Sequence, residues 1–235
     1  MKTIGLLGGM SWESSLEYYR LINRLVQEKL GGLHSAKCIM YSVDFAQIEK
    51  YQREAEWEKA GRLLAQYAQA LERAGADFLL LCTNTMHKVA EEIQASVQIP
   101  LIHLADATAE AVKEKGLKKL GLLGTSYTME EDFYKKRLAN FGLEVIVPAE
   151  REREKVNTII FQELCQGKIK AESRKTYQEI MANLVKRGAE GIILGCTEIG
   201  LLVKEGDAEV PLFDTTYLHA LKAVKLALEE EKTVK

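Results

Sequence analysis

Residues 75–84 read GADFLLLCTN, and residues 188–197 read GAEGIILGCT. Each stretch runs from a turn into a continuous apolar segment, which is typical of a parallel β-strand buried on both faces. When the two stretches are aligned, Thr83 rather than Cys82 lies opposite Cys196. The sequence therefore predicts two strands that each end in a hydroxyl or a thiol.

The beginning of each half repeats as well. Residues 2–8 read KTIGLLG and residues 118–124 read KKLGLLG, with Tyr18 and Tyr134 in register behind them. Two similar halves that both present reactive groups at strand ends favour a site built between them. Such a pseudo-symmetric site suits a nearly symmetric reaction, for example the inversion of one carbon centre.

Predicted strands alternate with predicted helices along the whole chain. The predicted strands are residues 4–7, 39–45, 78–82, 99–103, 120–123, 143–147, 192–194 and 211–213. The predicted helices are residues 14–30, 57–74, a helix from about 86, one from 128, two within 151–165 and 171–187, and 215–230. Capping boxes at Ser14-x-x-Glu17 and Thr128-x-x-Glu131 are expected to open two of these helices. The alternation predicts an α/β fold with parallel βαβ units and helices on both sheet faces.

The two halves form either two compact domains or one fused sheet, and we favour two similar doubly wound parallel-sheet domains. No long linker or low-complexity tract divides the chain. The last predicted helix follows the second repeat, so we expect it to pack back on the first half. We therefore place the first domain at residues 1–104 plus 215–235 and the second at residues 105–214.

Composition and charge argue against several classes of partner. The chain has 235 residues, 47% of them hydrophobic, which is ample for a packed core. Its 32 basic and 34 acidic residues are interspersed, so no nucleic-acid partner is indicated and a small-molecule substrate is favoured. No apolar run approaches the ~18 residues of a membrane span, and the first residues do not resemble a signal peptide. We expect a cytoplasmic protein with no membrane partner.

The cysteines and histidines do not form a metal-binding pattern. Cys38, Cys82, Cys165 and Cys196 are widely spaced, so we expect free thiols in a reducing compartment. The first three are expected to be small buried hydrophobic residues. The four histidines form no HExxH pattern and no pair one helical turn apart, so we expect no metal site.

Ligands of open parallel sheets bind at the carboxyl ends of strands. The main-chain N–H groups after Thr83 and Cys196 could hold a carboxylate, because both residues precede predicted helices. The helix dipole is also expected to lower the pKa of the Cys196 thiol towards neutrality. Four groups of residues lie at the carboxyl ends of predicted strands: Gly8-Gly9-Met10-Ser11, Thr83-Asn84-Thr85, Thr125-Ser126 and Cys196-Thr197-Glu198.

Two further features have structural interpretations. The Gly5-x-x-Gly8-Gly9 pattern is interpreted as a tight strand-to-helix turn rather than a phosphate loop, since its copy has Thr125 in place of Gly9. His87 is expected to be a polar helix residue, although an imidazole at this position could relay a proton.

Residues 81–87, LCTNTMH, and residues 192–199, IILGCTEI, resemble the two signature motifs of the aspartate/glutamate racemases. The opening residues 4–10, IGLLGGM, are also similar to that family, and the resemblance extends over nearly the whole chain. The resemblance implies two α/β domains related by a pseudo-twofold axis, an active site in the cleft between them, and no cofactor. It also implies two cysteines on opposite faces of the substrate α-carbon, one from each motif, and a homodimer.

The chain departs from the family pattern at the first motif. The family usually has Cys-Asn-Thr where this chain has Thr83-Asn84-Thr85, which resembles a subgroup that pairs threonine with cysteine. Racemisation without a cofactor needs a base on one face of the carbon and an acid on the other. A thiol is a credible base, whereas a threonine hydroxyl is better suited to donate a proton. By the resemblance Cys196 faces the L-enantiomer, so we expect activity to favour L-substrates.

Other residues are candidates for binding an acidic amino acid. Gln52, Arg53 and Lys155 are candidates for the side-chain carboxylate, although all three also fit ordinary surface residues. The resemblance places such groups at Gln52 and Lys155. The predicted substrate-binding set is completed by Met10, Asn84, Thr85, Thr125 and Thr197. Glu198 is interpreted either as a carboxylate that positions the Cys196 thiol or as an acidic residue in the first turn of a helix.

Two other function classes stay open. One is a related enzyme that uses the single thiol, such as a hydantoin racemase, a maleate-type isomerase or a decarboxylase. Turnover of hydantoin or maleate in place of an acidic amino acid would identify it. The other is a non-catalytic amino-acid-binding protein, which binds its ligand without exchange of the α-proton. We favour a cofactor-independent racemase of aspartate and glutamate.

Overall fold

The computed structural model describes residues 1–229. Its strands are β1 (Ile4–Gly8), β2 (Cys38–Ser42), β3 (Phe78–Leu81), β4 (Leu101–Ile102), β5 (Lys119–Gly124), β6 (Glu144–Ile146), β7 (Gly191–Gly195) and β8 (Leu212–Asp214). Its α-helices are α1 (Trp12–Leu30), α2 (Phe45–Arg53), α3 (Trp57–Arg73), α4 (Ala90–Ala95), α5 (Leu104–Glu114), α6 (Ser126–Glu130), α7 (Asp132–Ala139), α8 (Glu150–Gln162), α9 (Ala171–Lys186), α10 (Ile199–Leu202) and α11 (Thr215–Leu228). Short 3-10 helices cover Thr85–Val89 and Leu164–Gln166.

The strands form two four-stranded sheets with the orders β2-β1-β3-β4 and β6-β5-β7-β8. Both sheets therefore have the same topology, and all neighbouring strands are parallel. The central strands of both sheets are almost completely buried, because helices cover both faces of their apolar runs. The predicted α/β fold with two similar parallel-sheet halves is confirmed.

Contacts divide the chain into two units. Among the described residues, the first unit contains residues 1–82, 89–103 and 219–229. The second unit contains residues 83–88 and residues 104–218. The predicted domain bounds, 1–104 plus 215–235 and 105–214, stay a prediction. Residues 230–235, including the predicted helix end at Glu230, lie outside the described residues.

α5, and α11 from His219 onward, pack in the unit that does not contain the strand before them. α5 follows β4, yet its Leu104 and Val112 join the core of the second unit. α11 follows β8, yet its Ala220 and Val224 join the core of the first unit together with residues of β1 and β3. The core of each unit thus includes residues of a helix that follows, along the chain, a strand of the other sheet.

Two hydrogen bonds tie α11 into the first unit. The Tyr18 hydroxyl donates to His219 Nδ1 at 2.8 Å, and His219 Nε2 donates to the carbonyl oxygen of Ile102 at 2.8 Å. Tyr18 and His219 are fully buried, so neither bond competes with water. Tyr134, the repeat copy of Tyr18, is equally buried in the core of the second unit.

The two predicted capping boxes are wrong. α1 begins at Trp12, and its N-cap is Ser11, whose hydroxyl accepts from the Ser14 N–H at 3.2 Å. Ser14 is not the cap, because it lies inside α1 as its third residue, and its hydroxyl donates to the carbonyl oxygen of Cys82. In the second half the N-cap is Thr125, and Thr128 lies inside α6. In both halves the helix starts nearer to the strand than the sequence pattern indicates.

Some predicted boundaries also move. The strand predicted at residues 39–45 ends at Ser42, because Asp44 caps α2 by accepting from the Ala46 N–H. The helix predicted from about residue 86 is a 3-10 helix followed by the six-residue α4. α2 and α5 have no counterpart among the predicted helices.

The turn after β1 requires glycine at residue 9. Gly9 has a φ of +91°, and a Cβ atom there would meet the main-chain N and O of Val43. The Gly9 N–H donates to the Ser15 hydroxyl at 2.6 Å. The glycine pattern is therefore a tight strand-to-helix turn, and the Gly9 N–H is hydrogen-bonded within the protein rather than available to a phosphate.

We expect Gly9→Ala to lower the free energy of unfolding by about 3 kcal/mol, because a left-handed backbone cost and a steric overlap add together. Gly167→Ala is the matched control, since Gly167 has the left-handed conformation, with a φ of +69° and a ψ of +13°, and nothing within 4 Å of the added methyl group. The control should lose only the backbone cost of about 1 to 2 kcal/mol. Urea unfolding of both variants measures the difference, and equal losses would contradict the steric account.

Candidate active site

The carboxyl ends of β5 and β7 bring two of the predicted site residues together. Gly124 of β5 pairs with Gly195 of β7, so Thr125 and Cys196 follow neighbouring strands at the same edge of the second sheet. Both side chains are largely buried. This edge is where open parallel sheets bind ligands.

The first motif also belongs to the second unit, although it follows β3 of the first sheet. Residues 83–88 are held there by the side chains of three of their members. The Thr85 and Thr125 hydroxyls are hydrogen-bonded at 3.0 Å, and Lys88 pairs with Glu131 at 2.5 Å. Asn84 Nδ2 donates to the Thr215 hydroxyl at 3.1 Å. Thr83 and Cys196 therefore lie in one unit.

A single hydroxyl connects the two motifs. Thr215 Oγ1 accepts from the Asn84 amide and donates to the carbonyl oxygen of Leu194 at 2.8 Å, two residues before Cys196. Sequence reasoning missed Thr215. Its position directly after β8 could have indicated it, because the other candidates were found by the same strand-end rule.

Cys196 forms a thiol–carboxylate pair with Glu198. The thiol Sγ lies 3.0 Å from Glu198 Oε2, and the Thr197 hydroxyl donates to the same oxygen at 2.8 Å. Cys196 is 7% exposed and Glu198 is 2% exposed. Of the two interpretations of Glu198, the geometry matches the carboxylate that positions the thiol.

The predicted lowering of the Cys196 pKa is wrong. Burial, and after it the charge of the Glu198 carboxylate, raises the pKa of the thiol well above its ordinary value. The main-chain N–H of Glu198 acts in the opposite direction but is outweighed. The helix that follows, α10, has only four residues, so its dipole cannot offset burial and a neighbouring negative charge.

The Thr83 side chain is in a different environment. It is 6% exposed, and within residues 1–229 its hydroxyl has no hydrogen-bond partner. The neighbouring Asn84 is buried as well, and its Oδ1 atom has no partner in the same part of the chain. An unpaired buried acceptor is costly, so Asn84 Oδ1 is suited to a hydrogen-bond donor on a bound molecule.

The remaining candidates are spread over both units. Met10 and Gln52 are buried residues of the first unit, and Gln52 lies on α2. Lys155 is exposed on α8 of the second unit. Arg53 forms a surface ion pair with Glu49 at 2.7 Å, so it fits the interpretation as an ordinary surface residue. Cys82 is fully buried in the core of the first unit, as expected.

Residues 1–229 contain no group of three or more His, Cys, Asp or Glu side chains that could hold a metal ion. No helix in this part of the chain is long and apolar enough to cross a membrane. The described cysteines are free thiols.

Comparisons with known proteins assign the family. The profile of the Asp/Glu/hydantoin racemases matches residues 7–223. A crystal structure of a provisionally assigned Asp/Glu racemase from Yersinia pestis is 53% identical, with a TM-score of 0.91, over 97% of this chain and 100% of that chain. An aspartate racemase homologue from Pyrococcus horikoshii OT3 is 40% identical, with a TM-score of 0.85, over the same shares. The broad specificity amino-acid racemase of Bacillus subtilis (strain 168) is 24% identical over 96% of this chain and 98% of its own length. The chain belongs to the Asp/Glu/hydantoin racemase family.

Proposed function

We propose that the chain is a cofactor-independent racemase of acidic amino acids, aspartate and glutamate. The observation that carries the proposal is the pair of Cys196 and Glu198, in one unit with a Thr83 hydroxyl that has no partner within residues 1–229. The pair supplies a base and the hydroxyl supplies an acid, which are the two groups that inversion of a carbon centre needs. The family and the relatives described as amino-acid and aspartate racemases support the same reaction class.

The proton path starts from a protonated thiol, because burial and Glu198 raise the Cys196 pKa. The thiol proton passes to Glu198 Oε2, and the thiolate takes the α-proton of the substrate. The resulting carbanion takes a proton from the Thr83 hydroxyl on its other face. Water then carries the proton on Glu198 to the Thr83 alkoxide, so that every group returns to its starting state.

The two faces of the substrate meet unequal bases. Cys196 has a carboxylate to accept its proton, whereas no side chain of residues 1–229 accepts the proton of the Thr83 hydroxyl. Because enantiomers have equal free energies, kcat/KM for inversion must be the same in both directions. The preference for L-substrates therefore takes the form of α-proton exchange at Cys196 that outpaces inversion.

Substrate binding is assigned in two parts. Asn84 Oδ1 accepts from the α-ammonium group, since it is a buried acceptor with no partner in residues 1–229. Thr85, Thr125 and Thr197 present hydroxyls or main-chain N–H groups to the α-carboxylate. Gln52 and Lys155 are assigned to the side-chain carboxylate by the family resemblance, and Met10 completes the set.

The test is α-proton exchange in D2O, followed by NMR with the L- and D-forms of aspartate and glutamate, together with chiral analysis of the products. We expect L-substrates to exchange faster than they invert, and D-substrates to exchange only as fast as they invert. Exchange that equals inversion for both enantiomers would contradict the unequal bases. Absence of exchange with all four compounds would remove the proposal.

A second candidate is hydantoin racemisation, because the matching family profile includes hydantoin racemases. Exchange at a 5-substituted hydantoin in the same NMR assay, without exchange at the four amino acids, would select it. Turnover of maleate or of a malonate would select the isomerase or the decarboxylase, and ligand binding without any exchange would select a binding protein. We also infer a homodimer from the family resemblance, which sedimentation velocity tests.

A further inference from the structure

His87 is a buried histidine that the proton path does not use. It lies on the 3-10 helix Thr85–Val89 and is 4% exposed. Its Nδ1 atom is 2.7 Å from the carbonyl oxygen of Thr83, and its Nε2 atom is 3.2 Å from the main-chain nitrogen of Leu104. The ring therefore connects the residue that donates a proton in the proposed reaction with the first residue of α5.

These two contacts define the tautomer of the ring. The Leu104 N–H can only donate, so Nε2 must carry a lone pair and accept. The Thr83 carbonyl can only accept, so Nδ1 must carry the proton and donate. His87 is thus a neutral imidazole with its proton on Nδ1. His219 differs, since its Nε2 donates to the carbonyl of Ile102.

The position of His87 suits a support for Thr83. β3 ends at Leu81, so the Thr83 carbonyl has no partner in the sheet ladder. The Leu104 N–H is one of the first N–H groups of α5, which have no partner inside the helix. One imidazole satisfies both main-chain groups, and it fixes the Thr83 turn to an eleven-residue helix.

We propose that His87 is a positioning residue that sets the geometry of proton delivery by Thr83. The inference rests on the proposed function, because it concerns the face of the carbanion opposite Cys196. Loss of the support changes where the Thr83 hydroxyl lies without changing the thiol–carboxylate pair. Its signature is a change in the ratio of inversion to α-proton exchange for L-substrates, rather than an equal loss of both rates.

The experiment measures that ratio in D2O for the wild type, His87→Leu and His87→Asn. We expect His87→Leu to lower the ratio by about 10-fold to 10²-fold, since a displacement near 1 Å costs this much in positioned reactions. His87→Asn keeps a side-chain N–H at the δ position, so it should recover most of the ratio. His219→Leu is the matched control, because it removes a buried, doubly hydrogen-bonded histidine from the first unit and should leave the ratio unchanged. A folded His87→Leu with the wild-type ratio overturns the proposal, as does an equal loss of both rates in both His87 variants.

A second measurement does not depend on activity. ¹⁵N NMR of the wild-type imidazole rings reports the tautomer, and the His87 signal is identified by its loss in His87→Asn. A proton on Nδ1 of His87 and on Nε2 of His219 is the expected result. A proton on Nε2 of His87 overturns the inference even where racemisation is observed. Absence of exchange with all four amino acids would contradict the racemase proposal, but the tautomer of His87 could still be measured by ¹⁵N NMR.

Discussion

Cys196→Ala is expected to abolish α-proton exchange of L-aspartate and L-glutamate. In the proposed reaction the variant loses the sulfur atom that takes the α-proton on the L-face, and loss of a general base lowers rates by about 10²-fold to 10⁴-fold. Glu198 remains, but in the proposed reaction its carboxylate accepts the proton of the thiol, to which it is hydrogen-bonded, and not that of the substrate. Because only one sulfur atom is removed, the free energy of unfolding should fall by no more than about 1 kcal/mol. The measurement is the NMR exchange assay in D2O, combined with a urea unfolding curve.

Cys82→Ala is the matched control for this prediction. Cys82 precedes Thr83 and is fully buried, its Sγ lies 3.8 Å from the carbonyl oxygen of Leu80, and burial raises the pKa of its thiol. Such a thiol serves packing, so Cys82→Ala should lose some stability and keep its exchange rate. Full exchange in Cys196→Ala would show that Cys196 is not the base. Lost exchange in a folded Cys82→Ala would show that Cys82 takes part in the reaction.

The repeat explains why the architecture could be predicted. Two apolar runs that end at Leu81 and Gly195 need helices on both sides, and parallel strands joined by helices allow few topologies. The alignment of Thr83 with Cys196 also predicts the pair of residues that the proposed reaction uses. What it could not give is the assignment of residues 83–88 to the second unit, which depends on the hydrogen bonds of Asn84 and Thr85.

The errors in the secondary structure have local causes. Ser11 and Ser14 are both suitable caps by residue type, and the choice between them depends on the extended backbone of Ser11 and on a tertiary bond of Ser14. The sequence pattern predicts Phe45 as the end of a strand, but α2 begins at Phe45 and is capped by Asp44. α5 was detectable, because residues 104–114 are rich in alanine and carry apolar residues at helical spacing.

The error in the thiol pKa shows a general limit of sequence reasoning. The sequence shows that Cys196 stands before a helix, which favours the thiolate. It does not show that the side chain is 7% exposed or that the Glu198 carboxylate approaches to 3.0 Å. These terms reverse the sign of the shift, so that the thiol needs a proton acceptor before it can act as a base.

Glu198→Gln tests that requirement directly. The amide keeps the size of the side chain and can still hydrogen-bond to the thiol, but it cannot take the thiol proton. We expect the exchange rate of L-substrates at pH 7 to fall by about 10²-fold to 10³-fold, as for loss of a general base. Glu205→Gln is the charge-matched control, because Glu205 is exposed and should leave the rate unchanged.

The pH profile of Glu198→Gln separates loss of the proton acceptor from loss of structure. Loss of the Glu198 charge removes one of the causes that raise the Cys196 pKa, while burial still holds it above the ordinary value. The residual reaction must then use thiolate formed by solvent, so its rate should rise about tenfold for each pH unit below that pKa. In the wild type the carboxylate takes the proton inside the site, and the exchange rate should depend less on pH across the neutral range. A Glu198→Gln rate that is low and independent of pH would mean that Glu198 serves the fold, and that Cys196 obtains its thiolate in another way.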